Sequence, residues 1–413
     1  MRVYKTVSAV IVLIAVVFAG VATVPAAAQF DTMHYRYNAA HSGDYSPVAG
    51  SVPSNIQLKW NYTTGGAVES SPAIANGVVY IGSDGGDIYA LNATTGKLTW
   101  SFATRNNVYS SPSSPAIANG VVYIGSEDNN VYALNATTGA KLWNYTTGGP
   151  VLSSPAVVNG MVYIGSEDSN LYALSATTGA FVWSFTTRSA VVSSPAVVNG
   201  MVYVGGDDYN IYALSATTGA LLWNYTTGSA VVSSPAVANG MVYVGSLDGN
   251  LYALNATTGA FVWSYTTGDE VYSSSAVVNG VVYVGSENNK VYALNATTGA
   301  FVWNYTTGDE VPSSPAVANG MVYVGSLDGN LYALNATTGA KLWNYTTGGY
   351  VLSSPAVAND TVYVGSADNS VYAIGNAAVA ISQSVTPGFE VAIVFVGLVF
   401  VGLVIAAYVV RRS

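Results

Sequence analysis

Ser233-Ser-Pro-Ala-Val-Ala-Asn-Gly-Met-Val-Tyr-Val-Gly-Ser-Leu-Asp-Gly-Asn-Leu-Tyr-Ala-Leu-Asn-Ala-Thr-Thr-Gly-Ala-Phe-Val-Trp263 is one copy of a text that recurs along the chain. Its short β-branched and aromatic runs are broken at Asn239-Gly240, Asp248-Gly249-Asn250 and Thr257-Thr258-Gly259, residue types that make turns. Apolar residues at helical spacing are missing, so the stretch reads as strands. Four are expected. Strand A is Ser234 to Ala238, ended by the Asn-Gly pair that suits a two-residue hairpin with positive φ. Strand B is Met241 to Gly245, strand C Leu251 to Leu254, and strand D Phe261 to Thr266. The runs are apolar on both faces, the pattern of a sheet packed between two neighbouring sheets.

The copies keep a fixed period. Trp60, Trp100, Trp143, Trp183, Trp223, Trp263, Trp303 and Trp343 are forty residues apart, except for 43 between Trp100 and Trp143, where Ser-Ser-Pro is duplicated. Such a period dictates architecture before any local feature does. Four-stranded sheets repeated radially make a β-propeller, which leaves only short, protected edges. Units A to C begin near Val68, Ser113, Val151, Val191, Val231, Val271, Val311 and Val351. The first D strand, Gln57 to Thr64, precedes any such unit, and the last unit, Val351 to Ile374, has no D strand after it. The two leftovers complete each other. The fold expected is therefore all-β: an eight-bladed propeller of four-stranded antiparallel blades over residues 55–375, closed by the N-terminal strand.

The ends have different compositions. Residues 1–28 carry a basic start (Arg2, Lys5), an apolar run and Ala26-Ala27-Ala28, which is the pattern of a secretory signal peptide. Residues 29–54 form a lead-in and 376–386 a short linker. Val391 to Val410 has no charge and precedes Arg411-Arg412; twenty helical residues rise about 30 Å, enough to cross a bilayer as a C-terminal transmembrane helix. The paired arginines would stay cytoplasmic, which puts the blades on the extracellular face of the cell membrane.

Composition excludes several chemistries. There is no Cys, hence no disulfide scaffold, thiolate metal site or cysteine nucleophile. Net charge is −9, and more negative once the terminal cations are set aside, so nucleic acid is not an expected partner. Both histidines, His34 and His41, precede the first repeat. No blade then offers the usual general base, and catalytic residues are not assigned.

The stretch Ala253-Leu-Asn-Ala-Thr-Thr-Gly-Ala-Phe-Val-Trp263 resembles the tryptophan-docking motif of quinoprotein (PQQ-type) propellers, Ala-x-Asp-x-x-Thr-Gly-Lys-x-x-Trp. Seven copies end at Trp100 to Trp343, and only Lys97 keeps the motif's lysine. In physical terms Gly takes a positive-φ turn position and the Trp wedges between adjacent blades. Tyr35-Arg36-Tyr37-Asn38-Ala39-Ala40-His41-Ser42-Gly43 is similar to the lead-in of such propellers and implies a structural edge or cap. Pro387-Gly388-Phe389 with the apolar run and Arg411-Arg412-Ser413 is similar to the PGF-CTERM sorting signal of archaeal surface proteins, spanning 387–413; the resemblance implies cleavage and replacement by a lipid anchor.

Asn-x-Ser/Thr sequons stand at Asn61, Asn92, Asn135, Asn144, Asn224, Asn255, Asn295, Asn304, Asn335, Asn344 and Asn359. The turn asparagines among them are expected glycan acceptors, against a plainer role in turn hydrogen bonds. Strand direction puts the D–A connections and B–C turns on one face, and the Asn-Gly and Thr-Thr-Gly turns on the other. The first face varies between blades: Ala67, Asn107, Pro150, Ala190, Ala230, Glu270, Glu310 and Tyr350 share one position. Glu69, Tyr109, Leu152, Val192, Val232, Tyr272, Pro312 and Leu352 share another, beside the channel. Asp269, Glu270, Glu287, Asp309 and Glu310 gather around the fifth to seventh blades, with Arg105 and Arg188 across the ring. Five carboxylates are candidate oxygen ligands for a cation such as Ca²⁺, or else a solvated acidic rim.

Two functions compete at this point. One is a non-enzymatic, membrane-held scaffold for binding, adhesion or envelope assembly, with no cofactor and with a protein or glycan partner on the varied face. The other is an extracellular oxidoreductase using pyrroloquinoline quinone (PQQ) and Ca²⁺. The missing Cys, uniform blades and absent inserts favour the first.

Overall fold

The computed structural model describes residues 32–33, 38, 41–45, 56–104 and 113–376. The signal-peptide, linker, sorting-signal and transmembrane-helix expectations, with His34, Arg105, Asn107 and Tyr109, lie outside these residues. No helix among those described is long and apolar enough to cross a membrane.

Eight antiparallel four-stranded sheets follow one another, the second extended by Thr32–Met33. In blade 5 the strands are Ala236–Ala238 (A), Met241–Gly245 (B), Asn250–Asn255 (C) and Phe261–Thr266 (D). Strand A is shorter than expected. Pro235 has no N–H to donate, and the two serines before it bond to neighbouring blades instead. The A–B hairpin turns on Asn239 (φ 51°) and Gly240 (φ 75°), both left-handed as the pair requires.

The ring closes as the strand inventory demands. Ile56–Thr63 pairs antiparallel with Ser370–Asn376, from Ile56↔Asn376 to Thr63↔Ser370, and supplies strand D of blade 8. The apolar clusters lie between blades: Trp183 and Tyr163 of blade 3 pack with Val202, Tyr212 and Leu214 of blade 4. Strands B and C are buried on both faces. Strand D is not; its Trp is the inward residue and the two before it are exposed. A β-bulge just before each Trp causes this, for Ala253 pairs with Trp263 and Leu254 with Phe261, leaving Val262 as the extra residue.

Adjacent blades are riveted at one carbonyl. The Trp223 indole Nε1 donates to Ala256 O at 3.0 Å, and the Tyr203 hydroxyl reaches the same oxygen at 3.1 Å. Beneath the indole lies Gly259, at φ 70°, where an added Cβ would come within 2.6 Å of the ring. Trp60 and Tyr363 of blade 8 make the same pair of bonds to Ala93 of blade 1.

Candidate functional site

The innermost residues of each blade are the paired serines before strand A. The Ser71 amide donates to Ser114 Oγ, Ser114 to Ser154, Ser154 to Ser194, Ser194 to Ser234, Ser234 to Ser274, Ser274 to Ser314, Ser314 to Ser354, and Ser354 back to Ser71. All eight bonds are 2.9–3.1 Å long. They form a closed circle around the channel. Each hydroxyl spends a lone pair on the circle, which leaves the O–H of Ser71, Ser114, Ser154, Ser194, Ser234, Ser274 and Ser354 able to donate. The other serine of the pair holds its blade together: Ser233 Oγ accepts from the Gly245 amide and donates to the Ser273 carbonyl.

These serines floor a cavity of about 300 Å³. Its wall is the row expected beside the channel: Glu69, Leu152, Val192, Val232, Tyr272, Pro312 and Leu352. On the other side of the serine circle the lead-in runs against the innermost strands. Thr32–Met33 pairs with strand A of blade 2, the Val277 amide donates to Ser42 O, and Val317 to Gly43 O. His41 is fully buried, with Nδ1 3.2 Å from the Pro235 carbonyl oxygen, which fixes the proton on Nδ1. That is the structural role expected of the lead-in.

The B–C turns and D–A connections meet on one face as expected. Asp84 N donates to Ala67 O, Glu167 to Pro150, Asp207 to Ala190, Glu287 to Glu270 and Ala367 to Tyr350, at 2.9–3.0 Å. A second variable position is thereby set beside the first: Asp84, Glu127, Glu167, Asp207, Leu247, Glu287, Leu327 and Ala367. This acidic position escaped the sequence reading, although its signal is simple: it follows the Gly-Ser or Gly-Gly that ends strand B. Within residues 56–376 every acid except Asp360 lies on this face.

Crowding shows in the carboxyl groups. Burial, then Glu310, Glu270 and Asp269, push Glu287 up to about 7. Glu69 is raised by burial and by Asp84, and Glu127 by burial and by Glu167 and Asp84. Asp207 is raised by burial and Asp208, and its Oδ1 is buried without a hydrogen-bond partner. The Tyr272 hydroxyl, bonded to Glu270, is pushed up to about 12, first by burial.

The five carboxylates proposed as cation ligands do come close, but not as a coordination sphere. Among the described residues no three acids or histidines are grouped to hold a metal ion. Asp269 and Asp309 turn back on their own loops, where Oδ1 accepts from the Glu270 and Glu310 amides at 3.0 Å. Arg188 sits on the D–A connection before blade 4, its amide donating to Asp208.

The sequons divide by geometry. At the turns Asn92, Asn135, Asn255, Asn295 and Asn335, the side-chain oxygen accepts from the next two threonine amides, as in Thr257 and Thr258 to Asn255 at 3.0 Å, and the amide nitrogen makes no hydrogen bond among the described residues. On the D strands, Asn144, Asn224 and Asn344 donate that nitrogen to Asn130, Asn210 and Asn330. Asn61 and Asn304 also lie on D strands, and Asn359 is in the last A–B turn at φ 47°.

Residues 54–155, 110–198, 147–275, 193–310 and 269–406 match the model of a PQQ-like family described as outer membrane protein assembly factor BamB. Among solved structures, the chain is similar to BamB from Moraxella catarrhalis (TM-score 0.65, 21% identity, 78% of this chain and 99% of that one). It is also similar to a europium-containing methanol dehydrogenase (0.70, 14%, 83% and 97%). A quinohemoprotein alcohol dehydrogenase from Pseudomonas putida HK5 gives 0.71 and 17%, over 83% and 80%. At these identities the likeness shows the fold alone. No curated protein matches the sequence.

Proposed function

The chain belongs to the PQQ-like family described as outer membrane protein assembly factor BamB, and from that premise we propose that it is a non-enzymatic scaffold, held at the outer face of a cell membrane, whose acidic face binds a basic segment of a partner protein. One observation carries the reading: within residues 56–376 every acid but Asp360 lies on the face where variable loops surround the serine-floored cavity. Field lines from so many like charges concentrate over a cleft and draw in cations. The apolar wall of Leu152, Val192, Val232 and Leu352 would take an apolar side chain beside the basic ones, and the serine hydroxyls would meet a carbonyl or hydroxyl at its tip. Membrane attachment rests on residues 1–28 and on the tail from Pro387 to Ser413, and its lipid-anchor form on Pro387-Gly388-Phe389.

The dehydrogenase alternative draws on the shared fold. PQQ is a tricarboxylate, and the described cavity wall offers it no Lys or Arg while placing Glu69 against it. The residues present do not fit that cofactor.

Binding of an oligolysine peptide to the purified chain, by calorimetry at two salt concentrations, tests the scaffold reading. Binding weakened by salt and by Glu270→Gln with Glu310→Gln is expected. Unchanged binding in that double variant, with loss instead on altering the Thr-Thr-Gly turns, would put the partner on the other face. Tight uptake of PQQ with Ca²⁺ and dye-linked dehydrogenase activity would establish the enzyme.

A further inference from the structure

The outer rim next to the C–D turns carries the opposite character to the acidic face. Because of the bulge before each Trp, two consecutive residues of every D strand face outward. In four adjacent blades both are large and apolar, from Phe181-Val182 in blade 3 to Phe301-Val302 in blade 6, each 44–52% exposed. The band runs on from blade to blade, as Phe261 stacks on Tyr225 of the preceding blade with centroids 6.4 Å apart. The other four blades expose one leucine each, and every one has a lysine beside it: Lys341, Lys59, Lys97 and Lys141. Lys59 is tied to Thr361 Oγ1 at 2.7 Å; Lys97, Lys141 and Lys341 are exposed. Within residues 56–376 the one acid on this side is Asp360; Asp44 of the lead-in lies farther in, bridged to Val317 on strand A of blade 7.

An apolar arc completed by lysines, backed by an acidic face pointing the other way, has the charge and polarity distribution of a surface that settles on anionic lipid. The chain's exit agrees. Strand C of blade 8 ends at Asn376, paired with Ile56, on this same side of the ring. Residues 377–390 separate it from the uncharged run that starts at Val391, a contour of at most about 50 Å.

We infer that the C–D rim docks directly on an anionic bilayer surface, with the phenylalanine arc in the interfacial region and the lysine arc over the headgroups, so that the acidic face is turned away from the membrane. This goes beyond tethering, which holds a protein near a membrane without choosing a face.

The absence of native cysteine allows a direct test in the full chain. Single variants Val182→Cys, Val262→Cys and Glu167→Cys are labelled with an environment-sensitive fluorophore and mixed with vesicles of phosphatidylcholine and phosphatidylglycerol at seven to three. Some of the lipids carry a nitroxide quencher. Quenching at positions 182 and 262 is expected, with little at 167, and a change to pure phosphatidylcholine should reduce it. Adding Phe181→Ser, Phe261→Ser and Phe301→Ser to the Val262→Cys chain should cut the quenched fraction by at least about tenfold, since three half-exposed aromatic rings can no longer leave water for the lipid. Flotation with the vesicles reads the tail separately. Co-flotation with equal quenching at 167 and 262, or none at 262, overturns the docking while leaving the anchor in place. No co-flotation overturns both. Rim labels that stay unquenched by lipid but become shielded as protein concentration rises assign the arc to a second copy of this chain, and likewise overturn the lipid surface.

Discussion

The amide of Ser354 lies 3.0 Å from the hydroxyl oxygen of Ser71, a residue 283 positions earlier in the chain. That bond is the last link of the serine circle, and it joins the first blade to the eighth at the centre of the ring. Pairing of Ile56–Thr63 with Ser370–Asn376 joins the same chain ends at the circumference. Closure is therefore made twice, once at the axis and once at the outer sheet.

Breaking one link at the axis leaves a buried donor without an acceptor. Ser234→Ala removes the oxygen that the Ser194 amide uses, and a loss of about 1–3 kcal/mol is expected. Thr257→Ala, in an exposed turn where the side chain accepts nothing, should stay within about 0.5 kcal/mol. Chemical denaturation of the two variants checks the contrast.

At the circumference the closing strand has no substitute. Deletion of residues 29–64 exposes the whole edge of Ser370–Asn376, and unpaired strand edges recruit other chains. Aggregation, or loss of a single cooperative transition in calorimetry, is the expected result. A truncated protein that melts like the parent would show that the ring does not depend on this strand.

Two glycines with nearly the same φ separate backbone strain from docking. Gly240→Ala adds a methyl group at φ 75° with nothing within 4 Å, so strain alone should cost about 1 kcal/mol. Gly259→Ala does so at φ 70° against the Trp223 indole, 2.6 Å away, and should cost about 2–4 kcal/mol. Equal destabilisation in thermal melts would mean that the indole gives way freely.

The Glu287 carboxyl supplies a pH signature. Its folded value is raised to about 7, so the folded state holds a proton there that the unfolded chain has already released. Stability at this group should therefore fall as pH rises from about 4.5 to 7. Glu287→Gln should raise the melting temperature at pH 8 by about 1–2 °C and leave it unchanged at pH 4. An equal shift at both pH values would point to packing instead of charge.

Glycans, if attached in the native organism, should follow the free amide nitrogens. Glycopeptide mass spectrometry is expected to find no sugar on Asn144, Asn224 or Asn344. Sugar on turn asparagines such as Asn255 and Asn335 would follow this rule but, standing beside Phe261 and Lys341, would overturn docking of that rim on a bilayer. The same digest should contain no peptide beyond Phe389. Recovery of an intact Val391–Val410 segment would identify an ordinary membrane-spanning tail.

Much of this molecule was legible before any coordinate. Turn chemistry is local: Asn239-Gly240 and Thr257-Thr258-Gly259 bend the chain because of their own φ preferences, whatever surrounds them. With the forty-residue spacing of the tryptophans, that suffices for strand number, blade number, the leftover strands that close the ring, and which loops share a face. The row from Glu69 to Leu352 beside the channel followed from strand direction alone.

What the sequence by itself could not decide depends on contacts between residues far apart in the chain or on small irregularities of register. Ser-Ser-Pro reads as the start of a strand, and only the ring geometry turns its amides toward the next blade's hydroxyls. The five carboxylates near Glu287 read equally as ligands or as a rim, because their identities say nothing about where Asp269 and Asp309 point. The structure turns both onto their own loops. Phe261-Val262 looks like part of a strand buried on both faces, until a one-residue bulge before Trp263 sets both side chains outward and gives the ring its apolar arc. Local preferences select the blade, and the closed circle of eight selects what each blade presents.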